Sequence, residues 1–353
     1  MTGIPGAVVT GSGQAYPESE RQDVLWEEFF GPHFGGGRVA GRIFHGAGVR
    51  SRHCVANPLV EDLSRWSTGE RMARYAEEAA PLGKDAVSSA LGAAGLRPED
   101  VGLFAVASCT GYLTPGLDIG LARDLGMSTG LQRLVVGHMG CYAALPALGA
   151  VADFVVARQR PAVLLCVELT SLHIQPPTDD LEQVVAHALF SDAAAAVVVE
   201  PAAPGSGGLR VVDVAAVTDP ATADHMTWDV TDLGFRMGLS PRVPDVLAHH
   251  VEPMVAGLLA RNGVSRDEVS GWAVHPGGPR ILDTVERELG LPDGALNPSR
   301  EVLAEHGNCS SATVLLVLEE LRRVSGPVPP GRYVVAMAFG PGLTLYAALL
   351  RAS

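Results

Sequence analysis

Four short runs of nearly unbroken apolar residues, Val101–Ala107, Leu134–Gly137, Ala162–Leu169 and Ala193–Glu200, constrain this chain more than anything else in it. Each is too short for a core helix and too uniformly apolar for a strand with one wet face, so each predicts a strand buried on both sides. Helix-length segments separate them, one ending near Arg123 and one running from Cys141 to about Arg158. Strands alternating with helices predict a mostly parallel sheet covered on both faces. The scheme recurs beyond Pro201–Gly208, the best linker candidate. There Leu209–Thr218 reads as a strand, residues 244–262 as a helix and Gly271–Val274 as a strand. Helices over Ile281–Leu289 and Ser310–Val324 follow, then two closing strands, Tyr333–Phe339 and Leu343–Leu350, around Gly340-Pro341-Gly342. The expected architecture is a duplicated α/β fold with halves at 1–200 and 201–353 and one active site between them. Upstream, residues 20–32 suggest an amphipathic helix, and residues 67–95 a long one with Ser67 as N-cap, a break near Pro81 and a stop at Gly95. Phe44–Arg52 reads as a flexible loop holding Arg50 and Arg52.

Composition narrows the function. At 353 residues with 47% hydrophobic and 18% charged content, the chain can bury a generous core. No apolar run reaches the roughly 18 residues that a membrane span needs, and Met1–Pro17 lacks the basic-then-apolar pattern of a signal peptide. A net charge of −13 argues against a partner held through phosphate backbones. The five cysteines are odd in number and show no C-x-x-C spacing. Neither a disulfide framework nor a metal site is expected, and a reducing cytoplasm fits best.

One cysteine stands out. Val135-Val136-Gly137-His138-Met139-Gly140-Cys141 is a strand running into Gly and then Cys, with an apolar helical pattern starting at once. A thiol at such an elbow faces the positive end of a helix, which favours the thiolate. Two residues in the other half complement it: His275, directly after Trp272-Ala273-Val274, and Asn308, before a helix. An imidazole takes a thiol proton, and imidazole N–H and carboxamide together donate to an oxygen that gains negative charge. The set suits acyl transfer to sulfur followed by carbon–carbon bond formation through an enolate. Taken singly, each has a bland reading as well: a buried cysteine, a core histidine and a capping turn.

Together with Gly140-Cys141, four further motifs, His275-Pro276-Gly277-Gly278-Pro279, Gly307-Asn308-x-Ser310-Ser311-Ala312, Phe339-Gly340-Pro341-Gly342-Leu343-Thr344 and Cys166-x-Glu168-Leu169-Thr170, resemble type III polyketide synthases. These are the chalcone synthase-like branch of the thiolase fold, and Ser108-Cys109-Thr110-Gly111 resembles the bacterial ones. The resemblance implies a layered αβαβα fold and Cys141 as acyl acceptor. It implies His275 as partner of Cys141, with Asn308 joining His275 in polarising a thioester carbonyl. Phe190 and Phe235 match aromatic gatekeepers between a CoA tunnel and the cavity. Cys109, Thr110, His173 and Ser310 match positions around the cavity, and Thr114 a loop position that reaches the neighbouring subunit of a homodimer. Arg50, Arg52 and the Gly277-Gly278 turn with Arg280 match regions that meet CoA. No cofactor is implied; acyl-CoA and malonyl-CoA are substrates, and a pyrone, resorcinol or polyhydroxyarene is the product. Ala338 stands where the family usually has Gly, so its methyl either narrows the cavity floor or only alters packing. Two other readings stay open: a carrier-protein-dependent β-ketoacyl synthase with the same Cys/His/Asn chemistry, and a non-catalytic acyl-binding protein of the same fold.

Overall fold

The computed structural model describes residues 6–203, 205, 207–326 and 328–353. Part of the expected linker, Pro204 and Ser206, and the first residues of Met1–Pro17 lie outside the described residues. Strand β1 (Ala7–Ala15) is followed by β2 (Ser19–Arg21), helix α1 (Arg38–Gly46) and β3 (Ser51–His53), which pairs with β2. Next come α2 (Thr68–Ala94), β4 (Leu103–Ser108), α3 (Leu117–Leu125), β5 (Gln132–Gly137) and α4 (Ala144–Arg158). Strand β6 (Ala162–Glu168), α5 (Leu181–Leu189) and β7 (Ala193–Pro201) finish the first half. The second half runs β8 (Leu209–Thr218), the hairpin β9 (Met226–Thr231) and β10 (Gly234–Leu239), then α6 (Val243–Arg261). It continues through β11 (Val269–Val274), α7 (Pro279–Leu289), α8 (Asn297–His306), α9 (Thr313–Ser325), β12 (Tyr333–Gly340) and β13 (Thr344–Ala352).

Nine strands form one sheet in the order β11-β12-β13-β8-β1-β7-β6-β4-β5. It is mixed rather than mostly parallel: β4 runs parallel to β5 and β6, and β11 to β12, while the other five pairings are antiparallel. The short Pro341–Leu343 turn shows why, because a connection that tight joins only antiparallel strands. The two halves meet where β1 pairs with β8 over Ala7–Val9.

Strand alternation sorts the core into layers. Phe104, Val106, Val163, Leu165, Ala196 and Val198 pack under α2 and α3. The opposite faces of the same strands, Ala105, Ala107, Leu164, Ala195 and Val197, meet α4 and α9, which also cover Ala336, Ala338, Ala348 and Leu350 of the second half. Val335, Met337, Leu345, Ala347 and Leu349 turn outward to α6 and α7. The result is the expected αβαβα stack. Ala338 packs in the middle layer, so its methyl belongs to the core there.

That layer explains the apolarity around Cys141. Gly140–Arg158 has the length and composition of a membrane span, 19 residues at mean hydropathy 1.6, yet 61% of it is buried between the two halves. A helix covered on both sides by strands of the two halves of that sheet must be hydrophobic nearly all round.

Elsewhere two expectations shift. Helix α2 keeps the capping box of Ser67 with Glu70 and ends at left-handed Gly95, but Pro81 does not break it. Packing of Ala79, Ala86, Val87 and Ala90 against the sheet holds the helix through the proline. Residues 22–33 are helical with a π-turn over Trp26–Phe30, and the supposed arginine loop is divided: Phe44–Gly46 end α1, residues 47–50 connect, and Ser51 and Arg52 begin β3.

Candidate active site

The sequence reaches the site from four directions. Cys141 sits in a single 3-10 turn, Gly140–Tyr142, between β5 and α4. Gly140 has φ +76, and a Cβ there would stand 2.7 Å from the Pro341 ring, so a side chain at this position would push the Gly140–Tyr142 turn off the β12–β13 turn. The main chain of Cys141 lies against Gly340, where a Cβ would be 3.3 Å from its nitrogen. His275 follows β11 and donates its backbone N–H to Met337 O at 2.8 Å. Both halves therefore deliver a candidate residue to the C-terminal end of β12. Asn308 follows α8, and its backbone bridges Phe190 just after α5.

All three side chains are buried, with relative exposures of 6% for Cys141, 1% for His275 and 3% for Asn308. Asn308 Oδ1 accepts the Ser310 N–H at 2.9 Å. That bond fixes the amide's orientation and leaves Nδ2 as the outward donor. Neither ring nitrogen of His275 has a hydrogen-bond partner among the described residues, so either is free to serve a ligand. Burial pushes the Cys141 thiol up to about 12, against the hydrogen bond from Ser310 that lowers it. Burial alone draws the His275 imidazole down to about 3.

The helix end therefore does not by itself produce a resting thiolate, as the elbow had suggested. Desolvation outweighs it. What burial penalises is an isolated charge. Proton transfer from the thiol to a neighbouring base would create two opposite charges with no change in net charge, a form that burial penalises less.

Behind the trio, Glu168 is a fully buried carboxylate that ties the halves together. It accepts from Cys109 N–H at 3.0 Å, from Thr110 Oγ1 at 2.8 Å and from the Ser311 hydroxyl. Thr110 Oγ1 also accepts the Leu169 N–H at 2.8 Å, so this hydroxyl is occupied by the scaffold and is not offered to a substrate. Cys109 Sγ lies 3.4 Å from Ser310 Oγ, the hydroxyl that also bonds Cys141. Burial and the nearby Glu168 carboxylate push the Cys109 thiol well above its usual range, which suits a lining residue.

A small, partly open pocket adjoins the site, walled by Thr170, Ser171, His173, Phe190, Trp228 and Phe235 among others. Phe190 belongs to both, lining the cavity with its ring and meeting Asn308 through its backbone. His173 Nε2–H donates to Thr110 O at 2.7 Å, and its Nδ1 accepts the Phe235 N–H at 2.9 Å. Its ring stacks on Phe235 at 4.5 Å. Burial draws the imidazole down to about 3, so it stays neutral and keeps this tautomer. Trp228 Nε1–H donates to Cys109 O at 2.7 Å. His173 and Trp228 thus pin the β9–β10 hairpin over the cavity. Trp228 escaped notice in the sequence, where its one legible signal was an aromatic residue in a strand-forming run.

The arginines divide. Arg52 is not at a CoA-binding surface: it is 4% exposed, its guanidinium stacks over Phe30, and Nη1 donates to the carbonyls of His187 and Phe190. A cation on the last carbonyls of α5 stabilises that helix end and so holds Phe190. Arg50 is exposed but already paired with Glu301 and Glu305. Arg280 is exposed at the start of α7, and Arg42 is exposed on α1. Gly48, just past α1, lies against Pro279, where a Cβ would be 3.0 Å from the ring. That contact joins α1 to the Gly277-Gly278 turn. Thr114 is exposed and does not reach this chain's own cavity. Among the described residues no cluster of His, Cys, Asp and Glu could hold a metal ion.

Comparison with known proteins decides the family. Residues 53–204 match the N-terminal domain of chalcone and stilbene synthases, and residues 212–353 match the C-terminal domain. The chain belongs to the chalcone and stilbene synthase family. It is thus a type III polyketide synthase, a carbon–carbon bond-forming acyltransferase. It is 38% identical to a 1,3,6,8-tetrahydroxynaphthalene synthase of Streptomyces peucetius subsp. caesius, over 88% of this chain and 82% of that one. It is 32% identical to the alpha-pyrone synthesis polyketide synthase-like Pks18 of Mycobacterium tuberculosis, over 98% and 88%. Among solved structures, PKS-I of the brown alga Ectocarpus siliculosus superposes with a TM-score of 0.91 at 29% identity, covering 99% of both chains. The synthase therefore has the thiolase-like fold, and the layers described above are that fold's layers.

Proposed function

We propose that this synthase loads an acyl group from CoA onto Cys141 and extends it with malonyl-CoA to a cyclised pyrone, resorcinol or polyhydroxyarene. In loading, the thiol proton passes to His275, sulfur attacks the starter thioester carbonyl, and CoA leaves as a thiol. In extension, the malonyl carboxylate leaves as carbon dioxide. The electron pair it leaves forms an enolate, whose oxygen accepts from a His275 ring N–H and Asn308 Nδ2. The enolate carbon attacks the acyl-Cys141 carbonyl, freeing the sulfur and leaving the lengthened chain on CoA. Phe190 and Phe235 remove water from the carboxylate, which disfavours the anion relative to neutral carbon dioxide. CoA thioesters are substrates in this scheme, and no bound cofactor is invoked.

The observation that carries the reading is the preparation of the donors. Asn308 Nδ2 is freed by the lock on its oxygen, and both nitrogens of His275 are without partners. Arg280 and Arg42, exposed on either side of the Gly48–Pro279 contact, are the cations best placed for CoA phosphates. The deciding experiment is condensation with malonyl-CoA against malonyl-carrier protein, read by product mass spectrometry over a panel of acyl-CoA starters. Polyketide from malonyl-CoA alone is expected; strict dependence on the carrier protein would replace this reading with the β-ketoacyl synthase one.

A homodimer is part of the proposal. Strand β5 ends the nine-stranded sheet with an open edge, and Val135 on it is 58% exposed. Open apolar edges invite another strand, and the exposed Thr114 loop stands beside it in the N-terminal half. Pairing of β5 between two copies would cover both. Sedimentation equilibrium is expected to give twice the 36.8 kDa chain mass. A monomer at micromolar concentration would remove both the dimer and any role of Thr114 in a neighbouring site. The cytoplasm is the proposed compartment, supported by five free cysteines.

A further inference from the structure

Two histidines outside this chemistry face each other across the junction of the halves. His53 ends β3 and His306 ends α8, and His53 Nε2 lies 3.0 Å from His306 Nδ1. The tautomers follow from the third partner. His53 Nδ1 is 2.9 Å from Pro17 O, which only accepts, so Nδ1 carries the hydrogen and Nε2 is an acceptor. His306 Nδ1–H is therefore the donor between the rings. Tyr16 stacks on both, at 4.6 Å from His53 and 4.4 Å from His306.

The pair brackets the segment that carries Asn308. His306 is two residues before it. The intervening Gly307 has φ +70, and a Cβ there would meet Ser191 Cβ at 2.8 Å. On the opposite side, His53 N–H donates to Ser191 Oγ at 2.8 Å, and Asp192 N–H to His53 O at 3.0 Å. Ser191 N–H in turn donates to Asn308 O at 3.0 Å, and Asn308 N–H to Leu189 O at 2.8 Å. The carbonyls ending α8 are also held from the β3 side, Ala304 O by Arg50 N–H and Glu305 O by the Ser51 hydroxyl, each at 2.7 Å. The Ser51 and Arg50 side chains also join the two sides, but at the exposed surface, whereas the imidazole pair is a part-buried side-chain bond with a defined donor and acceptor.

We infer that the His53–His306 pair is a positioning device that sets the Asn308 carboxamide against the forming enolate. The inference rests on the proposed role of Asn308 and deepens it. Neither histidine touches substrate; both act through the backbone of residues 306–308 and 189–192.

The test separates positioning from general damage. His306→Phe keeps a ring for Tyr16 but removes the donor, whereas His306→Gln supplies an amide N–H to His53. In His306→Phe, kcat for malonyl-CoA decarboxylation is expected to fall about tenfold, as small misplacements of catalytic groups do. The KM for malonyl-CoA and the rate of Cys141 alkylation by iodoacetamide, which needs no carboxamide, are expected to stay within about twofold. His306→Gln is expected to recover at least half of the lost rate. Full decarboxylation by His306→Phe, equal loss of alkylation and decarboxylation, or no recovery in His306→Gln would each overturn the inference. Should His306→Phe not fold, His53→Phe breaks the same bond and carries the same expectations. Asn308→Ala distinguishes the two failures: if it decarboxylates normally the role of Asn308 is wrong, and if it alone is impaired only the pair's role is wrong.

Discussion

Replacing Cys141 by alanine is expected to abolish polyketide formation, by at least about 10³-fold, and to remove the acyl adduct seen by mass spectrometry after incubation with starter CoA. The reason is covalent: without sulfur no thioester is held for the enolate to attack. Malonyl-CoA decarboxylation is expected to remain measurable, because the enolate oxygen is served by His275 and Asn308 and not by the thiol. Intact protein mass and carbon dioxide release check the two halves of this expectation. An adduct that persists in Cys141→Ala would move the acyl site, with Cys109 the first residue to test, since both thiols share the Ser310 hydroxyl. No adduct in the wild-type chain under turnover conditions would favour the acyl-binding reading.

His275→Ala should separate the resting thiol from the activated one. Burial holds the thiol near 12, and the proton leaves only if an acceptor takes it nearby. With the imidazole gone, the thiolate fraction at neutral pH falls and grows only as pH rises towards that raised value. Iodoacetamide alkylation of Cys141 at pH 7 is expected to drop at least about tenfold and to climb without a plateau through pH 9–10. The wild-type rate should level off at lower pH, because its thiolate forms as an ion pair with the ring. Decarboxylation is expected to fall by about 10²–10⁴-fold, the range for losing both a proton carrier and an enolate donor. An alkylation profile identical to wild type would show that the Cys141 proton has another acceptor.

Much of this was legible in the chain. The four apolar runs predicted strands because a strand covered on both faces has no polar side to show, and β4, β6 and β7 are such strands; the fourth run is not, because β5 is the sheet's edge and Val135 on it is exposed. Helix ends marked by Ser67 and Gly95 were readable because capping is a local hydrogen-bond demand. Strand direction was less so: β7 and β13 are as apolar as the parallel strands, since burial on both faces does not reveal which way a neighbour runs.

The arginines show the other limit. Arg50 and Arg52 lie two residues apart in one glycine-rich stretch and look equivalent in the sequence. One is solvated beside two glutamates, and the other is buried on the carbonyls that end α5. Strand alternation does not separate them, because residues two apart face the same way; Arg50 lies before β3 and Arg52 within it, and what each meets is set by residues 135 to 255 positions away.

The sequence by itself determined the kinds of group the proposed chemistry draws on: a thiol at a strand-to-helix elbow, a histidine and an asparagine at element ends, and apolar strands enough for a layered α/β core. These are local properties of composition, periodicity and turn chemistry. Only the tertiary structure decided how the groups are tuned. It buried the thiol and the imidazole so that neither ionises alone, and pinned Phe235 through His173. It also withdrew Arg52 from solvent and set His53 against His306. Each of these depends on a dielectric or on a partner distant in sequence, and neither is written in the residues that respond to it.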